Sequence, residues 1–228
     1  MRTLPALALA ALLVGCDMAQ PSTDVNQDRI FTEYELAYLG EEGVTRARTQ
    51  FNFGGPNGTQ LRLDGGAEVT FDGDRLGVVE SIVNLLFYET ESAGENLGGT
   101  FRYTDADGNT FVNEAALRPI GFPATLDPLD NDDPYELTWT GPAVGEDEQV
   151  GVTLFRIGTE TELAVFAQRT EGATSIILTR TQLQNVQPGE VTLVLTRERT
   201  RDADEAPSVG GSVKETYQAP HQTVTVTD

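Results

Sequence analysis

Three sets of residues in this chain have chemistry beyond folding: one cysteine, Cys16; one histidine, His221; and two groups of acids. A single histidine and a single cysteine make a Ser–His or Cys–His arrangement hard to build and leave too few imidazoles for a His-rich zinc or copper site. His221, close to the C-terminus, reads as an exposed strand-end residue. The first acidic group, Asp105, Asp107 and Asn109, has the spacing that begins an EF-hand loop. The pattern then departs, with glycine at the fourth position and Ala116 at the twelfth. A hairpin turn explains Asp-Gly-Asn equally well. The second group is Asp127, Asp130, Asp132 and Asp133. Calcium held by Asp130, Asp132 and Asp133 would neutralise the cluster and stiffen it; the plainer expectation is a solvated acidic linker. Calcium is the one cofactor these residues suggest. Paired carboxylates also suffice for glycoside hydrolysis, but the many acids give no way to choose a pair.

The elements that must position these residues read as strands. Gly is frequent (23), Pro is present (11), and Val, Thr, Leu and Phe recur in short alternating runs. Strands are expected at residues 30–38, 44–53, 59–63 and 68–71, with the glycine-bearing turns 54–58, 64–66 and 72–74 between them. Residues 77–88 read as a buried strand or strand pair, and residues 100–104 and 110–113 as a hairpin around Asp105 to Asn109. Prolines break the stretch 118–134, which makes regular sheet there unexpected and a boundary plausible. Beyond it, Tyr135, Leu137 and Trp139 share one strand face. Val150, Val152 and Leu154 begin the next alternation, and Val191, Leu193 and Leu195 a later one. Residues 199–211 read as a long polar loop.

The chain carries 36 acids against 15 basic residues, a net charge of −21, with Lys214 as the only lysine. Such a surface repels nucleic acid and anionic headgroups, because it has no basic patch to release counterions. The acids are dispersed, which favours solubility or salt adaptation over a dedicated cation store.

At the N-terminus, Arg2 precedes a short Leu- and Ala-rich run ending in Leu13-Val14-Gly15-Cys16. The run is too short to span a bilayer, which takes about 20 residues, and it fits a cleaved export signal. It resembles a bacterial lipoprotein signal peptide with its lipobox. The resemblance implies cleavage before Cys16, lipidation of the Cys16 thiol, and a chain held on a bacterial membrane by its acyl groups. The expected place is the cell envelope, at the outer membrane or cell surface, with the inner membrane open because Asp17 follows the cysteine. Residues 16–27 then read as a lipidated cysteine and flexible tether.

Trp139 in an early strand, the corner Leu183-x-x-Val186-x-Pro188-Gly189, and a long alternating strand after it resemble an immunoglobulin-like or fibronectin type III sandwich. No cysteine pair bridges sheets, and Val191 stands where that pattern has a tyrosine. The expectation is an all-β chain with one or two Ig-like sandwich domains: 1–15 signal peptide, 16–27 tether, 28–120 a first β-rich domain, 121–134 a linker, 135–228 the Ig-like domain. Its expected role is non-enzymatic binding, adhesion or envelope organisation, with an envelope or extracellular protein or a glycan as partner and the loops 54–58 and 199–211 as contact candidates. A glycan hydrolase with two carboxylates and a calcium-stiffened spacer are the alternatives.

Overall fold

The computed structural model describes residues 19–81 and 85–228; Cys16 and the export segment lie outside the described residues. Alternating side chains and glycine-rich turns make strands of most of the chain. The first half gives β1 (Gln20–Pro21), β2 (Ile30–Leu39), β3 (Val44–Phe53), β4 (Thr59–Arg62), β5 (Glu68–Phe71), β6 (Asp74–Arg75), β7 (Gly77–Glu80), β8 (Leu86–Ala93), β9 (Gly98–Thr104) and β10 (Thr110–Ala116). The second half gives β11 (Leu129–Asp130), β12 (Tyr135–Thr138), β13 (Glu148–Arg156), β14 (Glu162–Gln168), β15 (Ser175–Leu178), β16 (Gly189–Asp202), β17 (Gly211–Gln218) and β18 (Gln222–Thr227). Helix is confined, among the described residues, to single turns at Ser22–Asp24, Gln27–Arg29 and α1 (Arg180–Leu183).

One wide sheet runs β1-β4-β3-β2-β17-β16-β13-β14. β2 and β17 lie parallel, with Gly211 opposite Thr32 and Gln218 opposite Leu39. Two long strands each carry two partners end to end on one edge. β3 takes β4 beside residues 52–53 and β8 beside residues 44–49. β16 takes β18 beside residues 189–193 and β17 beside residues 196–202. Two smaller sheets, β10-β9-β5-β6 and β12-β15, complete a layered all-β fold.

Register decides which residues face the core. Tyr34, opposite Thr49 and Val213, points to the inner face, and Phe51 lies opposite Thr32 on that face. There Tyr34 meets Phe101 with ring centroids 5.1 Å apart, and Phe51 meets Tyr103 at 4.6 Å and Tyr88 at 5.5 Å. Each such ring pair contributes about 0.5–1.5 kcal/mol beyond its buried area. The other end of the inner face is aliphatic. Val152, Leu154 and Leu193 are buried in one cluster with Leu137, Ile176 and Leu178 of β12 and β15.

A charged band also lies on this inner face. Glu148, Arg197, Arg199, Arg201 and Glu215 occupy inward positions of β13, β16 and β17. Glu148, with 2 % of its side chain exposed, pairs with Arg118 and, at 3.2 Å, with Arg197, and it accepts the Gly145 N–H at 2.8 Å. Burial lowers the pKa of Arg197, against the opposing pull of Glu148. Arg199 and Arg201 approach the Glu215 carboxylate at 3.7 and 3.8 Å.

Several expectations are corrected by this arrangement. The chain does not divide at 121–134 into separately closed sandwiches. The edge of β17 is filled by β2, so strands from both sides of that stretch share one sheet. The stretch itself is partly packed: Ile120 and Leu129 are buried, and Gly121 bridges Thr140. Residues 20–27 are docked and not a free tether. Asp64 accepts the Ser22 hydroxyl at 3.0 Å and the Thr23 amide at 2.9 Å, and Gln27 donates to Ser22 O at 2.7 Å. Residues 199–202 continue β16 and are not loop, because their arginines point inward to carboxylates. In the 77–88 stretch the strand-pair alternative is the one observed, with β7 antiparallel to β8, and β7 is exposed along its length and not a buried strand.

Candidate binding site

The outer face of the wide sheet carries a different set of side chains. Along β16, Thr192, Val194, Thr196, Glu198 and Thr200 alternate with the inward Leu193, Leu195, Arg197 and Arg199. Two clefts open on this outer face, one toward each end of β16.

The larger cleft, about 530 Å3, is lined by Glu41, Phe155, Thr159, Glu160, Thr192, His221 and Thr223, with Gly158 at its rim. Register places Phe155 opposite Thr192 and Thr192 opposite Thr223, so these three form one row across β13, β16 and β18. Gly40 brings Glu41 to His221. A Cβ on Gly40 would lie 2.5 Å from Gln218 O and from Pro220 N, so only glycine lets the β2–β3 turn sit against the β17–β18 link. The Gly40 N–H donates to Gln218 O at 2.9 Å and holds the turn there. Glu41 Oε2 then accepts the His221 backbone N–H at 3.3 Å and stands 3.8 Å from its Nδ1. His221 Nε2 is buried and has no hydrogen-bond partner among the described residues.

The second cleft, about 280 Å3, is lined by Glu33, Glu35, Arg48, Gln50, Phe87, Thr200, Ser212 and Lys214. Its charges are mostly paired: Lys214 Nζ is 3.6 Å from Glu35 and 3.4 Å from Glu198, and Arg48 Nε donates to Glu89 at 2.6 Å. The Arg48 guanidinium lies over the Phe87 ring at 4.4 Å. Burial raises the Glu33 carboxyl above its ordinary value, opposed by the Asn52 amide that donates to it at 2.8 Å.

Both clefts offer carboxylates, hydroxyls and an aromatic ring, and the smaller adds the Gln50 amide. This set can accept and donate hydrogen bonds to hydroxyl groups while an aromatic ring packs a C–H face.

The acids singled out from sequence lie elsewhere. Asp105 is buried and its carboxylate serves its own turn, accepting the N–H of Asp107 at 2.9 Å, the N–H of Asn109 at 2.8 Å and the Asn109 amide at 2.9 Å. Asp130 accepts the Asp132 N–H at 2.8 Å, and Asp132 pairs with Arg180 at 3.0 Å; Asp133 is exposed. Among the described residues, no three His, Cys, Asp or Glu side chains converge as a metal-binding group. Trp139 is buried, with its indole N–H donating to Pro142 O at 3.1 Å. His221 is half-buried at the wall of the larger cleft and is not a plainly exposed strand end. Sequence reasoning did not bring Glu41, Phe155 and His221 together, since the three come from distant segments that only the sheet assembles.

No protein-family model and no curated protein matches this chain. Among solved structures, the Bacteroides ovatus mixed-linkage glucan utilization locus protein SGBP-B, in complex with a mixed-linkage heptasaccharide, is similar with a TM-score of 0.20 and 12% identity. That alignment covers 100% of this chain and 69% of the other. A likeness at this TM-score carries no functional argument.

Proposed function

We propose that this chain is a lipid-anchored envelope protein that binds a neutral glycan, without catalysing its breakdown, in the cleft beside His221. The observation that carries the ligand class is the lining of that cleft: Glu41, Glu160, Thr159, Thr192, Thr223 and His221 around the Phe155 ring. Carboxylates accept sugar hydroxyls, threonines both donate and accept, and the ring supplies an apolar face. The net charge of −21 disfavours anionic polymers, which makes a neutral glycan the better fit. The anchor rests on Leu13-Val14-Gly15-Cys16. Intact-mass analysis of the chain from host membranes tests it: an acylated N-terminus at Cys16, lost in Cys16→Ser, is expected. An unmodified chain retaining residues 1–15 would overturn it. The ligand is tested by titrating the full chain, in detergent, with neutral oligosaccharides. Binding that His221→Ala and Phe155→Ala each weaken, at unchanged melting temperature, is expected.

One observation favours a second reading. Glu33, its carboxyl pKa raised by burial, shares a cleft with Glu35, and two carboxyl groups in one cleft are the equipment of glycoside hydrolysis. Release of new reducing ends from a glycan the chain binds, abolished in Glu33→Gln, would move the function from binding to hydrolysis.

A further inference from the structure

We infer that the ligand is an extended glycan chain lying along the outer face from the Phe155 cleft to the Phe87 cleft; this rests on the glycan reading above. The two clefts share one face and one strand. Thr192 lines the first and Thr200 the second, eight residues apart on β16, so the clefts are separated by about 26 Å at roughly 3.3 Å per residue. No mono- or disaccharide reaches from one to the other.

The path between them is low and hydroxylated. Ala37 faces Thr216 across β2 and β17, Gln218 faces Thr196 across β17 and β16, and Thr196 faces Gly151 across β16 and β13. Gly151 is the informative residue. It sits inside β13, where glycine is unfavourable by about 0.5–1 kcal/mol relative to alanine. Neither usual reason for glycine applies. Its backbone is outside the positive-φ set, and a Cβ there would meet only Phe166 O, at 3.6 Å, an ordinary contact. A strand-interior glycine free of both demands leaves the sheet surface open to close approach from outside.

The lining also chooses among occupants. A protein partner needs a core of large apolar anchors, whereas this floor of alanine, glycine, threonine and glutamine adds only Val194, which is itself buried. An anionic polymer would meet a chain of net charge −21. Along the path the cation Lys214 is already engaged by Glu35 and Glu198. A neutral polyhydroxylated chain matches the hydroxyls and paired charges, and an aromatic ring stands at each end.

The test is a length series. Neutral homo-oligosaccharides of glucose, mannose, galactose and xylose, from monosaccharide to hexasaccharide, are titrated against the full chain in detergent. The same titrations are run on Gly151→Val and Phe87→Ala. Affinity is expected to climb with length. Phe87→Ala should cost the hexasaccharide roughly three- to tenfold, the worth of one aromatic contact, and leave the disaccharide unchanged. Gly151→Val should abolish the gain with length while the melting temperature holds or rises, since valine suits a strand. Equal affinity at every length, with both variants silent, would overturn the extended chain and leave the Phe155 cleft as the glycan site. Failure of every sugar to bind would overturn the glycan reading itself. Concentration-dependent self-association abolished by Gly151→Val would instead assign the face to a second copy and overturn both.

Discussion

The inner and outer faces of one sheet are made by the same strands, yet they are built to different ends. β16 supplies both: Val191, Leu193 and Leu195 inward, Thr192, Thr196 and Glu198 outward. Inward side chains are buried in a continuous cluster, and even the inward charges are paired, with Glu148 meeting Arg118 and Arg197. Apart from the buried Val194 and Ala37, the outward side chains of β16, β17 and β2 are mostly half-exposed, hydroxylated or ion-paired to neighbours on the same face. Under the proposed glycan-binding role, period-two alternation separates stability from recognition within each strand: substitutions inward should report on folding and substitutions outward on binding.

The sharpest break in that separation lies in the buried charges. Removing the Glu148 carboxylate with Glu148→Ala leaves Arg197, 3 % exposed, without its partner, and loss of one side of a buried pair costs about 3–5 kcal/mol. Urea denaturation should show this as a large fall in midpoint. Phe101→Ala removes a fully buried ring that touches both Tyr34 and Phe71, at an expected cost of about 3–5 kcal/mol by the same measurement. If either inward change left stability untouched and altered binding, the division of labour between faces would fail.

Outward changes should be milder for the fold. Gly40→Val forces the β2–β3 turn away from residues 218–220 and so moves Glu41 from His221. It should weaken binding in the larger cleft and lower the melting temperature by a few degrees. Glu33→Gln refines the comparison. The folded pKa of Glu33 is raised by burial, so the folded state favours its protonated form. That contribution is full below the ordinary value of 4.5 and is lost as pH rises through the folded pKa. Glu33→Gln should therefore raise the melting temperature at neutral pH and leave it unchanged in acid, which thermal melts across a pH series would show. Smallest of all is His221→Ala, expected to shift stability by no more than about 0.5 kcal/mol while weakening ligand binding.

How much of this was legible in sequence differs between elements. β3 and β5 fall at the expected residues, 44–53 and 68–71, because their alternation is clean and turns bound them. The end of β16 was hidden because Arg197, Arg199 and Arg201 look like solvent residues until Glu148 and Glu215 are placed beside them. The parallel pairing of β17 with β2 joins segments about as far apart as the chain allows, and no local pattern encodes it. The turn at Asp105 was legible, since Asx hydrogen bonds are local. The larger cleft was not: Glu41, Phe155, Thr192 and His221 come from four segments and share no spacing rule.

The most direct test of a fold-bearing inner face and a glycan-binding outer face is a calorimetric titration of the full chain with neutral oligosaccharides, repeated for Phe155→Ala with its melting temperature measured alongside. Binding that falls several-fold in the variant at unchanged melting temperature is the predicted result. Absence of binding to every neutral oligosaccharide, or binding that Phe155→Ala leaves intact, would contradict it.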